Sequence, residues 1–80
     1  MLKVKLFAKA RDLAGSAEVD LPWTNGQTVA VLKQRLSESY PGLAPLIPQL
    51  LVAVNNQYAP DSAGIRSTDE VAGFPPVSGG

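Results

Sequence analysis

The sequence predicts an α+β domain, a mixed sheet of four to five strands packed on one main helix, with an extended C-terminal tail. Three observations carry that prediction. Apolar residues alternate with lysines across residues 2–8, the period of a half-buried strand. Val29, Leu32, Leu36 and Tyr40 recur at helical spacing and make one apolar stripe. Two short runs rich in β-formers, residues 50–54 and 71–74, follow that helix.

Each element has its own warrant. In the first strand Lys3, Lys5 and Lys9 face water, and Phe7 is an exposed aromatic among them. Taken alone, such a residue carries no functional information. Residues 11–16 read as a turn or short helical piece closing on Gly15. Residues 18–21 alternate again and make a second strand, paired with the first as an antiparallel hairpin with a broad loop. Pro22 ends it, and Asn25-Gly26 marks a turn.

Thr28 caps the helix, although the Glu or Gln of a capping box is missing three residues on. Pro41-Gly42 stops the helix, and Pro45 and Pro48 reduce residues 43–48 to a packed loop or single turn. Residues 50–54 form a third strand with little exposure. Asn55-Asn56 turns the chain into a very short strand at residues 57–59. Residues 60–68 are loop, anchored by Ile65, and Asp69-Glu70 leads into the last strand. Trp23 is read as partial cover over the helix start.

Two hairpins flanking one helix place that helix across one face of the sheet. The first and last strands then lie parallel at its centre, joined by a long crossover. That is the β-grasp (ubiquitin-like) architecture. Residues 1–75 are expected to form this single domain, and residues 76–80 a flexible tail.

Composition removes several function classes. The 80 residues carry seven basic and seven acidic side chains, so no net positive charge favours nucleic acid. With no cysteine and no histidine, disulfides, thiolate catalysis and the commonest general base are absent. Asp69-Glu70 is a neighbouring carboxylate pair, but adjacent strand residues point to opposite faces, and a solvated turn is the better reading. No apolar run approaches membrane-spanning length, and the N-terminus lacks a signal-peptide core. The expectation is a cytoplasmic protein with no bound cofactor and no metal, and not an enzyme on its own.

The tail is the exception to this plainness. Pro75-Pro76 cannot extend a sheet, since neither nitrogen carries a proton. Beyond them Val77, Ser78, Gly79 and Gly80 thin to residues without side chains, able to pass where a Cβ would collide. Extended, residues 76–80 reach roughly 15 Å. A Gly-Gly end alone is uninformative. Joined to a diproline stalk and a strand feeding straight into it, the end reads as an arm that delivers the carboxylate of Gly80.

Residues 69–80, Asp69-Glu70-Val71-Ala72 followed by Phe74-Pro75-Pro76-Val77-Ser78-Gly79-Gly80, resemble the C-terminal signature of the small subunits of molybdopterin synthase. Residues 7–15, Tyr40-Pro41-Gly42 and Val52-Ala53-Val54-Asn55 are similar to further segments of that ubiquitin-like sulfur-carrier family. Gly73 departs from the pattern, which carries a larger apolar residue there. The resemblance implies that an activating enzyme uses ATP to adenylate the Gly80 carboxylate and converts it to a thiocarboxylate. The tail, Pro75, Pro76, Val77, Ser78 and Gly79, then inserts into the molybdopterin synthase large subunit. There sulfur passes to cyclic pyranopterin monophosphate to build the molybdopterin dithiolene of molybdenum cofactor, within a heterotetramer. It further implies that Phe7, Tyr58 and Phe74 form an apolar partner-binding patch. The alternatives are a sulfur carrier for thiamine thiazole synthesis or tRNA thiolation, an ubiquitin-like protein modifier, and a plain interaction domain.

Overall fold

A computed structural model describes residues 1–76. The elements follow in the order β1 (Leu2–Leu6), α1 (Ala8–Ala14), β2 (Glu18–Leu21), α2 (Val29–Ser39), β3 (Leu51–Val54), β4 (Gln57–Tyr58) and β5 (Val71–Phe74). Single 3-10 turns at Pro41–Leu43 and Ile47–Gln49 occupy the proline-punctuated stretch after α2. The strands form one sheet in the order β2-β1-β5-β3-β4. Only β1 and β5 pair in parallel; the other neighbours are antiparallel. This is the β-grasp arrangement, with the expected parallel pair at the centre.

Alternation in β1 decides which face is covered. Leu2, Val4 and Leu6 are buried, whereas Lys3 and Lys5 are exposed. Val19 and Leu21 of β2, Val52 of β3 and Val71 of β5 join the same layer, and Val29, Leu32 and Leu36 of α2 close over it. Each such side chain contributes about 1.5–3 kcal/mol through burial. No polar or charged residue is buried among the described residues.

The loop after β4 is held to the start of α2 by backbone bonds. The N–H groups of Val29 and Ala30 donate to the carbonyls of Ala63 (2.9 Å) and Asp61 (3.0 Å). The Val31 N–H donates to Thr28 Oγ1 at 3.4 Å. Three N–H groups that a helix start leaves unpaired are thereby satisfied, which is why the missing capping-box glutamate does no harm. Ile65 is fully buried, and its carbonyl accepts both the Gly26 N–H (3.0 Å) and Trp23 Nε1–H (2.9 Å). Trp23 thus pins the crossover loop by a hydrogen bond as well as covering the core.

Four details differ from the sequence reading. The first strand ends at Leu6 rather than Ala8, because Ala8 takes the left-handed φ of +52° and turns the chain into α1. Such a conformation costs alanine about 1–2 kcal/mol. Second, the piece expected at residues 11–16 is a full helix from Ala8. Its residues are mostly strong helix formers, and Gly15 (φ 78°) caps it by donating to the Arg11 carbonyl. Third, β3 starts at Leu51 and exposes one side: Val52 is buried and Val54 packs half-buried against the core, while Leu51 and Ala53 lie half-buried on the second face, which no helix covers. Fourth, the return strand β4 stops at Tyr58, so Ala59 lies outside it.

Two glycines make contrasting demands. A Cβ added at Gly42 would stand 2.5 Å from the Leu13 carbonyl oxygen, so glycine lets the chain after α2 press against the end of α1. Gly73 faces the core, but no hole is left there. The δ-methyls of Leu6 and Leu50 close to 3.3 and 3.5 Å of where its Cβ would lie. Gly42→Ala must displace backbone and is expected to cost about 1–3 kcal/mol in urea denaturation. Gly73→Ala meets only the ends of two leucines. The rearrangement offsets the roughly 0.5–1 kcal/mol that alanine gains over glycine in a strand, leaving stability nearly unchanged.

Candidate functional site

The uncovered face of the sheet is organised around β5. Ala72 pairs with Lys5 on one side and with Ala53 on the other, and Ala53 in turn pairs with Tyr58. Two residues further on, Phe74 pairs with Leu51. The Phe7 N–H donates to the Gly73 carbonyl at 3.1 Å, so Phe7 extends the β1–β5 ladder just past the end of β1. Register alone therefore brings Phe7 beside Phe74.

The rings meet edge to face. Phe7 and Phe74 centroids are 6.2 Å apart at 63°, and Tyr58 and Phe74 are 5.7 Å apart at 68°. Each such pair contributes about 0.5–1.5 kcal/mol beyond burial. The cluster stays open to solvent nonetheless, with Phe7 49% and Tyr58 69% exposed. Ala53 and Ala72 leave space beneath the rings, giving a groove of about 390 Å³ that Lys5 and Glu70 also line. Exposed aromatic surface over small residues is the kind of surface that binds protein.

The three patch residues expected from the sequence are thus brought together. Sequence reasoning missed the floor of the groove. Its signal was available in Ala53 and Ala72, two small residues at outward positions of adjacent strands. Of the expected tail residues, Pro75 and Pro76 follow the end of β5, the first half-buried and the second exposed. Val77, Ser78, Gly79 and Gly80 lie outside the described residues. Among the described residues no group of His, Cys, Asp or Glu is placed to hold a metal ion, and no helix is long and apolar enough to cross a membrane.

The start of β5 is fixed by a polar cluster. Asp69 Oδ2 accepts the Arg66 N–H at 2.8 Å, and Asp69 Oδ1 accepts Asn55 Nδ2–H at 3.1 Å. These bonds, the backbone one first, hold the Asp69 carboxyl below the ordinary aspartate range. A carboxyl that is more acidic folded than unfolded stabilises the fold above its unfolded pKa, and that stability is lost as pH falls through the folded one. Thermal unfolding should therefore show a loss of Tm between about pH 5 and about pH 2 that is smaller in Asp69→Asn.

Residues 4–80 match the ThiS family. The chain is 37% identical over 79 residues to the molybdopterin synthase sulfur carrier subunit of Arabidopsis thaliana, covering 99% of this chain and 82% of that one. It is 34% identical over 82 residues to the subunit of the same name from Escherichia coli, covering all of both. Among solved structures it is similar to SAMP1, a small archaeal modifier protein of Haloferax volcanii. That match has a TM-score of 0.84 and 30% identity, across 99% of this chain and 98% of that one.

Proposed function

The chain belongs to the ThiS family, and from that premise we propose that it is a sulfur carrier of molybdenum cofactor biosynthesis, the small subunit of a molybdopterin synthase. The observation that carries this reading is its end-to-end identity with subunits named for that role. Residues 1–75 are the body in this proposal and residues 76–80 the arm. It is not an enzyme alone; it donates sulfur within a complex, in the cytoplasm.

Chemistry falls on Gly80. A carboxylate is a poor electrophile, so an activating enzyme first joins it to the α-phosphorus of ATP, with pyrophosphate leaving. Sulfur at the oxidation level of hydrosulfide then attacks the carbonyl carbon, the C–O bond to phosphate breaks, AMP departs, and a thiocarboxylate remains. In the large subunit that sulfur forms a C–S bond to a side-chain carbon of cyclic pyranopterin monophosphate, and a C–O bond at that carbon breaks, its oxygen leaving as water or staying on the phosphate. Hydrolysis of the resulting thioester leaves sulfur on the pterin and returns the carboxylate. Two turns supply the two sulfurs of the dithiolene. Pro75, Pro76, Val77, Ser78 and Gly79 carry the end into each active site, and Phe7, Tyr58 and Phe74 dock the body on each partner.

Intact-mass measurement tests the first half. With ATP, activating enzyme and a sulfur donor, one oxygen is expected to be exchanged for sulfur at Gly80. An unchanged mass under active conditions would refute the carrier reading. Deleting Gly80 should abolish dithiolene formation while leaving the unfolding curve as it was. Phe74→Ala should raise the Kd for the large subunit by roughly thirtyfold, the size of a modest hot spot.

The similarity to the archaeal modifier protein favours one second reading, conjugation of Gly80 to lysines of other proteins. In the same incubation it predicts isopeptide-linked adducts of higher mass, and no conversion of the pterin precursor.

A further inference from the structure

The turn between β3 and β4 contains a side chain that stands in for backbone. The β3–β5 ladder runs from Leu51↔Phe74 to Val54↔Val71, and its next pair is Asn55 with Glu70. Half of that pair is ordinary, the Asn55 N–H donating to the Glu70 carbonyl at 2.7 Å. The other half is not. The Glu70 N–H donates to Asn55 Oδ1 at 2.9 Å, where a regular antiparallel pair would use the Asn55 carbonyl. Asn55 has turned to φ 51°, and Asn56 to φ 68°, to close the tight hairpin. Its remaining side-chain atom, Nδ2, donates to Asp69 Oδ1 at 3.1 Å.

We infer that Asn55 is a positioning residue of the docking groove, clipping the hairpin that carries Tyr58 to the strand that carries Phe74. The inference rests on the reading that this groove docks a partner. Three demands meet at position 55: a left-handed backbone, an acceptor for the Glu70 N–H, and a donor for Asp69. Glycine meets the first alone. Aspartate meets the first two and sets a second carboxylate against Asp69. Asparagine meets all three. Tyr58 sits only three residues beyond this clip on a two-residue edge strand, whose other ties, its pairing with Ala53 and Val54 and the Ala59 N–H donating to the Val52 carbonyl at 2.9 Å, join it to β3 and not to β5. The 5.7 Å contact of Tyr58 with Phe74 is therefore set from Asn55.

The test uses the full chain with Asn55→Gly, Asn55→Asp and the double variant N55D/D69N. In the double variant donor and acceptor trade places. The amide at position 69 donates to the carboxylate at position 55 and still accepts the Arg66 N–H, and the second oxygen at position 55 takes the Glu70 N–H. Two readouts are needed, at a temperature where each protein is folded. One is the nuclear Overhauser contact between the Tyr58 and Phe74 rings in the free protein. The other is calorimetric affinity for the large subunit.

Both single variants are expected to lose the ring contact and to bind about tenfold more weakly, the scale of one side-chain hydrogen bond. The double variant should regain both. An Asn55→Gly protein with wild-type ring contact and affinity overturns the inference, as does a double variant no better than Asn55→Asp. If Asn55→Gly does not fold, the comparison of Asn55→Asp with the double variant decides. If the wild-type protein does not bind the large subunit, the docking reading falls, and the ring contacts alone decide the role of Asn55.

Discussion

Everything in this domain depends on the parallel pairing of β5 with β1. A parallel neighbour cannot be reached by a tight turn, so the chain must leave the sheet and return. It does so through β2, α2 and the β3–β4 hairpin, and the return puts β5 between β1 and β3. Because β5 has partners on both sides, its inward residues Val71 and Gly73 complete the core while its outward residues Ala72 and Phe74 build the groove. One four-residue strand therefore serves the core, the groove and the root of the tail at once.

That position also accounts for the glycine within it. Central strands disfavour glycine, yet here Leu6 and Leu50 crowd the place its side chain would occupy. The core volume is supplied by the neighbours, so the departure from the family pattern is a local exchange of volume. Nearby, Ala8 accepts a left-handed conformation immediately after Phe7. The chain bends away from the sheet at that point, and Phe7 remains as the last outward residue of β1's ladder, at the edge of the groove.

Much of this was legible in the sequence, because period-two and period-3.6 patterns report which residues face a core. Leu2, Val4, Leu6, Val29, Leu32 and Leu36 were read that way and are buried. The contact of Phe7 with Phe74 follows from the parallel pairing of β1 and β5. What the pattern missed has physical reasons. Helix α1 is short and buries only Ala10 completely, so it leaves almost no periodic signal. Gly42 is set by the backbone of Leu13, far away in sequence, and read locally it is only a helix stop. The Asn55 clip joins residues that are polar and exposed, where hydropathy is silent; only the pairing of an asparagine turn with an aspartate before a strand hints at it.

The two faces of the sheet answer different constraints. A chain of 80 residues has apolar side chains enough to cover one face with α2, and the other must meet water. Lysine, glutamate and aspartate serve that need on β1 and β2, where Lys3 faces Glu18 at 3.7 Å. An exposed ion pair of this kind adds little stability. At the end of β5 the same face turns aromatic, and no loop folds over it among the described residues. Solubility alone favours more charge there, and core stability gains little from rings left half in water. The aromatic surface is concentrated where the chain leaves the sheet at Pro75, so under the proposed function a partner that covers the groove meets the root of the tail as well. In the proposed function, docking and delivery are coupled by the geometry of a single strand end.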